Sequence, residues 1–189
     1  MATSRVKTSS ILQGFPKSRS LLTGNTAYDP GATFLIDSVT VGAGGASSIT
    51  FSSIPSTYKH LQVRGIHKHS ATGAWASIQL NSDTTSSNYT YHRISGDGST
   101  AFAEANASIN RTFTSYPHWG PVVIDVLDYL DTNKNTTVRT LSGWDGNGSG
   151  EVNFVSNLWK NTAAVTSLTI ALSSFVEYSS FSLYGYMGS

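Results

Sequence analysis

The chain of 189 residues contains no cysteine. That absence excludes a disulfide framework and a thiolate metal site. Charge is scarce as well: Asp, Glu, Lys and Arg make up 12% of the residues, about half of the roughly 25% usual in soluble domains. The net charge of +1 leaves no electrostatic footprint for nucleic acid or for an anionic membrane surface. No run approaches the roughly 18 apolar residues of a membrane-spanning helix. The opening MATSRVKTSSILQGF has neither the apolar core nor the small-residue cleavage site of a secretory signal. The expectation is a chain made in a cytoplasm, without membrane insertion and without a nucleic-acid partner.

Hydrophobic residues make up 39% of the chain, enough for the core of one domain. Ser, Thr, Asn and Gly occupy the positions that Lys and Glu fill elsewhere. These residues disfavour helix interiors and suit strands, turns and bulges. A charge-poor surface gives little mutual repulsion, so it suits an assembly better than a concentrated solution.

Residues 1–33 stand apart. They are basic, with Arg5, Lys7, Lys17 and Arg19 against Asp29, and they hold no strand or helix period. A free tail has no use for scattered apolar residues, so Phe15, Leu21 and Leu22 are read as anchors of an extended N-terminal arm.

From residue 34 the pattern alternates with period two. FLIDSVTV (34–41), SSITFSSI (47–54), YKHLQVRGI (58–66), AWASIQLN (74–81) and SNYTYHRIS (87–95) read as strands. So do PVVIDVLDYL (121–130), TTVRTLSGW (136–144), GEVNFVSNLW (150–159), AVTSLTIALS (164–173) and SFSLYGYM (180–187). In the vaguer stretch 96–118, AFAEANASI is the one helical candidate. About ten short strands with Gly/Asn/Ser punctuation predict an all-β fold, an antiparallel, jelly-roll-like β-sandwich over 34–189. The expected core includes Ile49, Phe51, Leu61, Val63, Ile78, Leu80, Val122, Ile124, Val126, Val138, Leu141, Phe154, Leu168, Ile170 and Leu183.

Candidate chemistry is thin. His67 and His69 sit at i and i+2, on one face of a strand, and two imidazoles begin a zinc or copper site. His60 and His92 are the other histidines within reach, but no recognised spacing ties a third ligand to the pair. They are read as exposed histidines at a strand end, and no metal is assigned. Asp125 and Asp128 fall on opposite faces of a strand and make no matched pair for glycoside cleavage. Asp128 and Asp131 read as turn residues. Asp125, within an apolar run, needs a partner, and Arg139 on the next strand is expected to supply an ion pair. No serine lies in a nucleophile motif. GDG (96–98) and GWDGNGSG (143–150) match neither a calcium loop nor a phosphate loop and read as turns. No catalytic residue and no cofactor is assigned.

Aromatic residues are the remaining signal. Trp75, Tyr89, Tyr91, Tyr116, His118 and Trp119 fall in the segment 67–119 that breaks the clean alternation. Exposed rings beside amides and hydroxyls serve either to stack on sugar rings or to pack against another subunit. A charge-poor aromatic surface favours packing, and a sugar ligand is the second reading.

SSITFSSIPSTYKHLQVRGI (47–66) resembles a module that recurs in structural proteins of tailed bacteriophages, above all cyanophage-type phages. SNYTYHRISGDGS (87–99), IDVLDYLDTNKNTTVRTLSGWDG (124–146), LWKNTAAVTSLTI (158–170) and FSLYGY (181–186) match the same pattern in the same order. PKSRSLLTGNTAYDPGATFLIDSVTVG (16–42) is similar to the leader of many such proteins. The resemblance covers most of the chain from about Phe15. It implies a non-enzymatic virion protein, trimeric and bound to other virion proteins through its arm. The expected role is tail-fibre or baseplate-associated, with contact to host surface glycan as a further expectation; the alternative is a capsid decoration (cement) protein. A polysaccharide depolymerase would be expected to show a long repetitive β-helix and an acid pair in a groove, and the sequence has neither.

Overall fold

Strands with one apolar and one polar face need a second apolar face to cover them, and here two antiparallel sheets cover each other. The computed structural model describes residues 33–71 and 73–187. The expected arm, with Phe15, Leu21 and Leu22, lies outside the described residues apart from Thr33. The strands are β1 (Thr33–Thr40), β2 (Ala46–Phe51), β3 (His60–His67), β4 (Ala74–Leu80), β5 (Tyr89–Gly96) and β6 (Ala101–Asn106). They continue as β7 (Phe113–Ser115), β8 (Gly120–Leu127), β9 (Thr136–Asp145), β10 (Gly150–Trp159), β11 (Leu168–Phe175) and β12 (Ser180–Tyr186). One sheet has eight strands in the order β1-β12-β3-β8-β9-β10-β5-β6, and the other has four in the order β2-β11-β4-β7. The first five strands alternate between the two sheets, the winding of a jelly-roll-like sandwich.

The interior is built from cross-strand rows. In the small sheet Ile170 lies opposite Ile49 on one side and Ile78 on the other. In the large sheet Val63 lies between Leu183 and Ile124. All six are buried, and such rows are the unit of sheet stabilisation. Two mid-strand glycines allow ring packing. A Cβ at Gly65 would stand 2.4 Å from the Phe181 ring, and one at Gly185 would stand 2.3 Å from the Tyr58 ring. Tyr89 is buried with its hydroxyl satisfied: it accepts from the Leu80 N–H and donates to the Asp83 carbonyl, both at 3.0 Å. Burial pushes this phenol up to about 12.

Four expectations need correcting. AFAEANASI is not helical; its first part is edge strand β6, paired with β5 from Tyr91↔Asn106 to Gly96↔Ala101. Alanine favours helix, but pairing with an existing sheet edge overrides propensity. Asp125 and Arg139 do face each other in register, yet the Asp125 carboxylate instead accepts a 2.7 Å hydrogen bond from Gln62 Nε2. Thirteen of the fifteen expected core residues are buried, but Leu141 and Phe154 are 51% and 45% exposed. Leu141 is three residues from Val138, so a regular strand sends the two to opposite faces, and Val138 is the buried one. In β10 the buried face is Asn153, Val155, Asn157 and Trp159.

The fourth correction concerns the histidine pair. His67 and His69 share a face, but that face is internal, and both are buried. His67 Nδ1 lies 3.0 Å from Ser115 Oγ, while Nε2 is buried without a partner. Its ring is packed among Phe113, Phe175 and Phe181. Burial, with His69 nearby, lowers its pKa from 6.5 to about 4. Between those values the unfolded chain binds a proton that the folded chain rejects. Stability therefore falls as pH drops from about 6.5 to about 4, by about 3 kcal/mol from this group. Urea titrations across that window are expected to show the loss in the wild type and a reduced slope in His67→Gln. An equal slope in both would remove His67 as its source.

Candidate functional site

Two surfaces of the sandwich carry more than the fold requires. The first is the outer face of the eight-stranded sheet. Ala103, Ile94, Phe154, Leu141 and Val123 are successive cross-strand neighbours on β6, β5, β10, β9 and β8. One pleat away, Val152 lies opposite Gly96 and Gly143, and Ile66 lies opposite Pro121. Among the described residues, five of the nine large exposed apolar side chains are gathered here: Ile66, Ile94, Leu141, Val152 and Phe154. A contiguous apolar patch of this kind marks an interaction surface, whereas single exposed leucines do not. The next row along the same face is mostly polar: His92, Ser156, Arg139, Asp125, Gln62 and Tyr184.

The second surface is a groove of about 440 Å³ at one end of the sandwich. It is lined by Asp97, Ser99, Phe102, Tyr116, Trp144, Ser149 and Glu151, with backbone from Gly148 and Gly150. Two tight turns shape it. Asp97 accepts from the N–H groups of Ser99 and Thr100, which lowers its pKa. Asp145 accepts from Asn147 N–H, and Asn147 and Gly148 have positive φ. The turns read from GDG and GWDGNGSG fall at the middle of those segments, whose ends belong to β5, β9 and β10. Trp144 stacks on Tyr116 and His118, with centroids 4.5 and 5.0 Å away. Its Nε1 is buried without a partner. Phe102 and Trp119 are 50% and 43% exposed.

Behind the groove lies a polar layer where the small sheet ends at short β7. Arg93 is paired with Glu151, donates to Asn153 Oδ1 at 2.7 Å, and lies 3.7 Å from Glu104. Asn153 donates to Thr114 Oγ1, and Asn157 donates to the Arg111 carbonyl. The Arg93 and Arg111 guanidinium carbons lie 4.9 and 5.0 Å from the Trp75 ring centroid. Tyr91 donates to Glu104, and burial together with that carboxylate raises its pKa. Both Glu151 oxygens are engaged, by Arg93 and Thr114, and Asp97 is engaged by its own turn. The carboxylates of the groove thus serve as ion-pair and turn groups.

The predicted aromatic residues divide four ways. Tyr116 lines the groove and, with His118, stacks on Trp144; Trp119 is exposed and has no place in the lining. Trp75 is half-buried between two arginines. Tyr89 and Tyr91, expected among exposed rings, are at 1% and 0% exposure and form part of the interior. Sequence reading missed Phe102 and Trp144, and it missed the outer apolar row, two of whose members, Leu141 and Phe154, it assigned to the core. No group of three or more metal-ligating side chains occurs among the described residues. No family model matches the chain, and no curated protein matches it.

Proposed function

We propose that this chain is a non-enzymatic structural protein of a tailed-phage virion, tail-fibre or baseplate-associated, that assembles with other virion proteins and with copies of itself. The observation that carries the reading is the apolar row across the outer sheet of an otherwise charge-poor sandwich. A free monomer gains nothing from exposing Ile94, Leu141 and Phe154 side by side, and an assembled subunit does. The resemblance of residues 47–66 and the later matching segments to phage structural modules supplies the setting. A capsid decoration protein is the alternative within it.

The arm belongs to this proposal. Deleting residues 1–33 is expected to leave a soluble sandwich that no longer joins the particle; normal incorporation of the truncated chain would refute the arm's role. Purified particles are expected to contain the chain at a fixed copy number, with imaging to separate tail from head. Particles without it would overturn the virion reading.

The groove favours a second, compatible reading, contact with host surface glycan. Phe102 offers an exposed ring beside the hydroxyls of Ser99 and Ser149, the combination that holds a sugar by stacking and hydrogen bonds. Binding of the wild type to isolated host polysaccharide, lost in Phe102→Ala with assembly intact, is the expected outcome of that reading. No binding by the wild type would leave the groove a structural feature.

A further inference from the structure

We propose that the outer face of the eight-stranded sheet packs on the same face of a second copy, sheet against sheet, around a two-fold axis. The proposal rests on reading this face as an assembly surface and names its occupant.

Area comes first. Eight strands about 4.8 Å apart and about 25 Å long make a face of roughly 900 Å². A stable pair of proteins buries about 800 Å² per partner, so one such face suffices. Two twisted sheets stack face to face readily, as the interior of this sandwich already does.

Symmetry comes next. A ring contact between copies is heterologous and needs a second, different apolar patch; a two-fold contact needs one self-complementary patch. Among the described residues the other large exposed apolar side chains are Leu35, Phe102, Trp119 and Tyr178. They are scattered over edge strands and loops, so the row through Ile94, Phe154, Leu141 and Val123 is the single patch of its size. Its natural complement is itself. This favours a pair over the trimer that the phage resemblance implies.

Charge decides between a second copy and the chain's own N-terminal segment. Residues 1–32 carry Arg5, Lys7, Lys17 and Arg19 against Asp29. Beside the apolar row lie Arg64 and Arg139 against Asp125. A basic segment laid there meets two guanidiniums for one carboxylate. A second copy meets the face with one carboxylate to two guanidiniums, a less basic occupant than residues 1–32 with four cations to one acid.

The test is the mass of the full chain by size-exclusion chromatography with light scattering. The wild type is expected to be a dimer. Leu141→Asp and Phe154→Asp are expected to be monomers with unchanged circular dichroism, because both side chains are already half exposed. Phe102 pairs with Ser95 on the other face of the sheet from Ile94 and Ala103, and Phe102→Ser is expected to remain a dimer. A monomeric wild type, a trimer, or a dimer untouched by both aspartates would overturn the proposal. So would a monomer in which Leu141→Asp opens residues 1–32 to trypsin, since the face would then hold that segment. A wild-type monomer that still enters particles removes the pair and leaves the structural reading standing; a dimer absent from particles does the reverse.

Discussion

Ile170→Ala is expected to destabilise the protein by about 2–5 kcal/mol, while Phe154→Ala, a larger truncation, lowers stability by no more than about 2 kcal/mol. Ile170 is fully buried between Ile49 and Ile78. Removing its side chain loses transfer energy and leaves a cavity that rigid sheets on both sides cannot close. Phe154 loses mainly contacts with Ile94 and Leu141 along the surface, worth roughly 0.2–1 kcal/mol for each cross-strand pair. The comparison is made with wild type and variants all held dilute, or all in the Leu141→Asp background, so that dissociation of copies is not counted as unfolding. Urea midpoints in the reverse order would mean that β10 presents its other face inward.

Arg93→Ala is expected to rank beside the core truncations, at about 3–5 kcal/mol, the usual range when one partner of a buried pair is removed. Arg93 and Glu151 side chains are each only 12% exposed. The substitution strands the Glu151 carboxylate, takes a donor from Asn153, and uncovers one face of Trp75. Replacing both charges, as Arg93→Met with Glu151→Leu, is expected to recover much of the loss, because no orphaned charge remains. If the double variant is as unstable as the sum of the singles, the pair is not a coupled unit, and the ion pair does not organise the polar layer.

The sandwich was legible because alternation is a local property. Ile49 and Phe51, Leu61 and Val63, and Ile78 and Leu80 each lie two apart with polar neighbours, so their shared face follows from the pleat. In β10 the same rule returns two answers. Val152 and Phe154 lie on one parity, Val155 and Trp159 on the other, and local sequence has no means of choosing. The choice is tertiary: Asn153 and Asn157 have inward partners in Arg93, Thr114 and the Arg111 carbonyl, and those partners come from distant segments. The histidines failed as exposed residues for a similar reason, since the Phe113, Phe175 and Phe181 rings that enclose His67 are brought in by β7, β11 and β12. The groove was half legible. Tyr116 and His118 marked the region by composition, but Trp144 and Phe102 reach it from β9 and β6, strands whose proximity only the strand order creates. The outer apolar row was hidden by its own hydrophobicity, which reads as core when no second sheet is in view.

The most direct measurement is a reconstruction of the assembled particle at a resolution that traces this chain. The account predicts the sandwich in the virion with the Ile94–Phe154–Leu141 row covered by a neighbouring subunit. A chain missing from the particle, or present with that row facing open solvent, would contradict it.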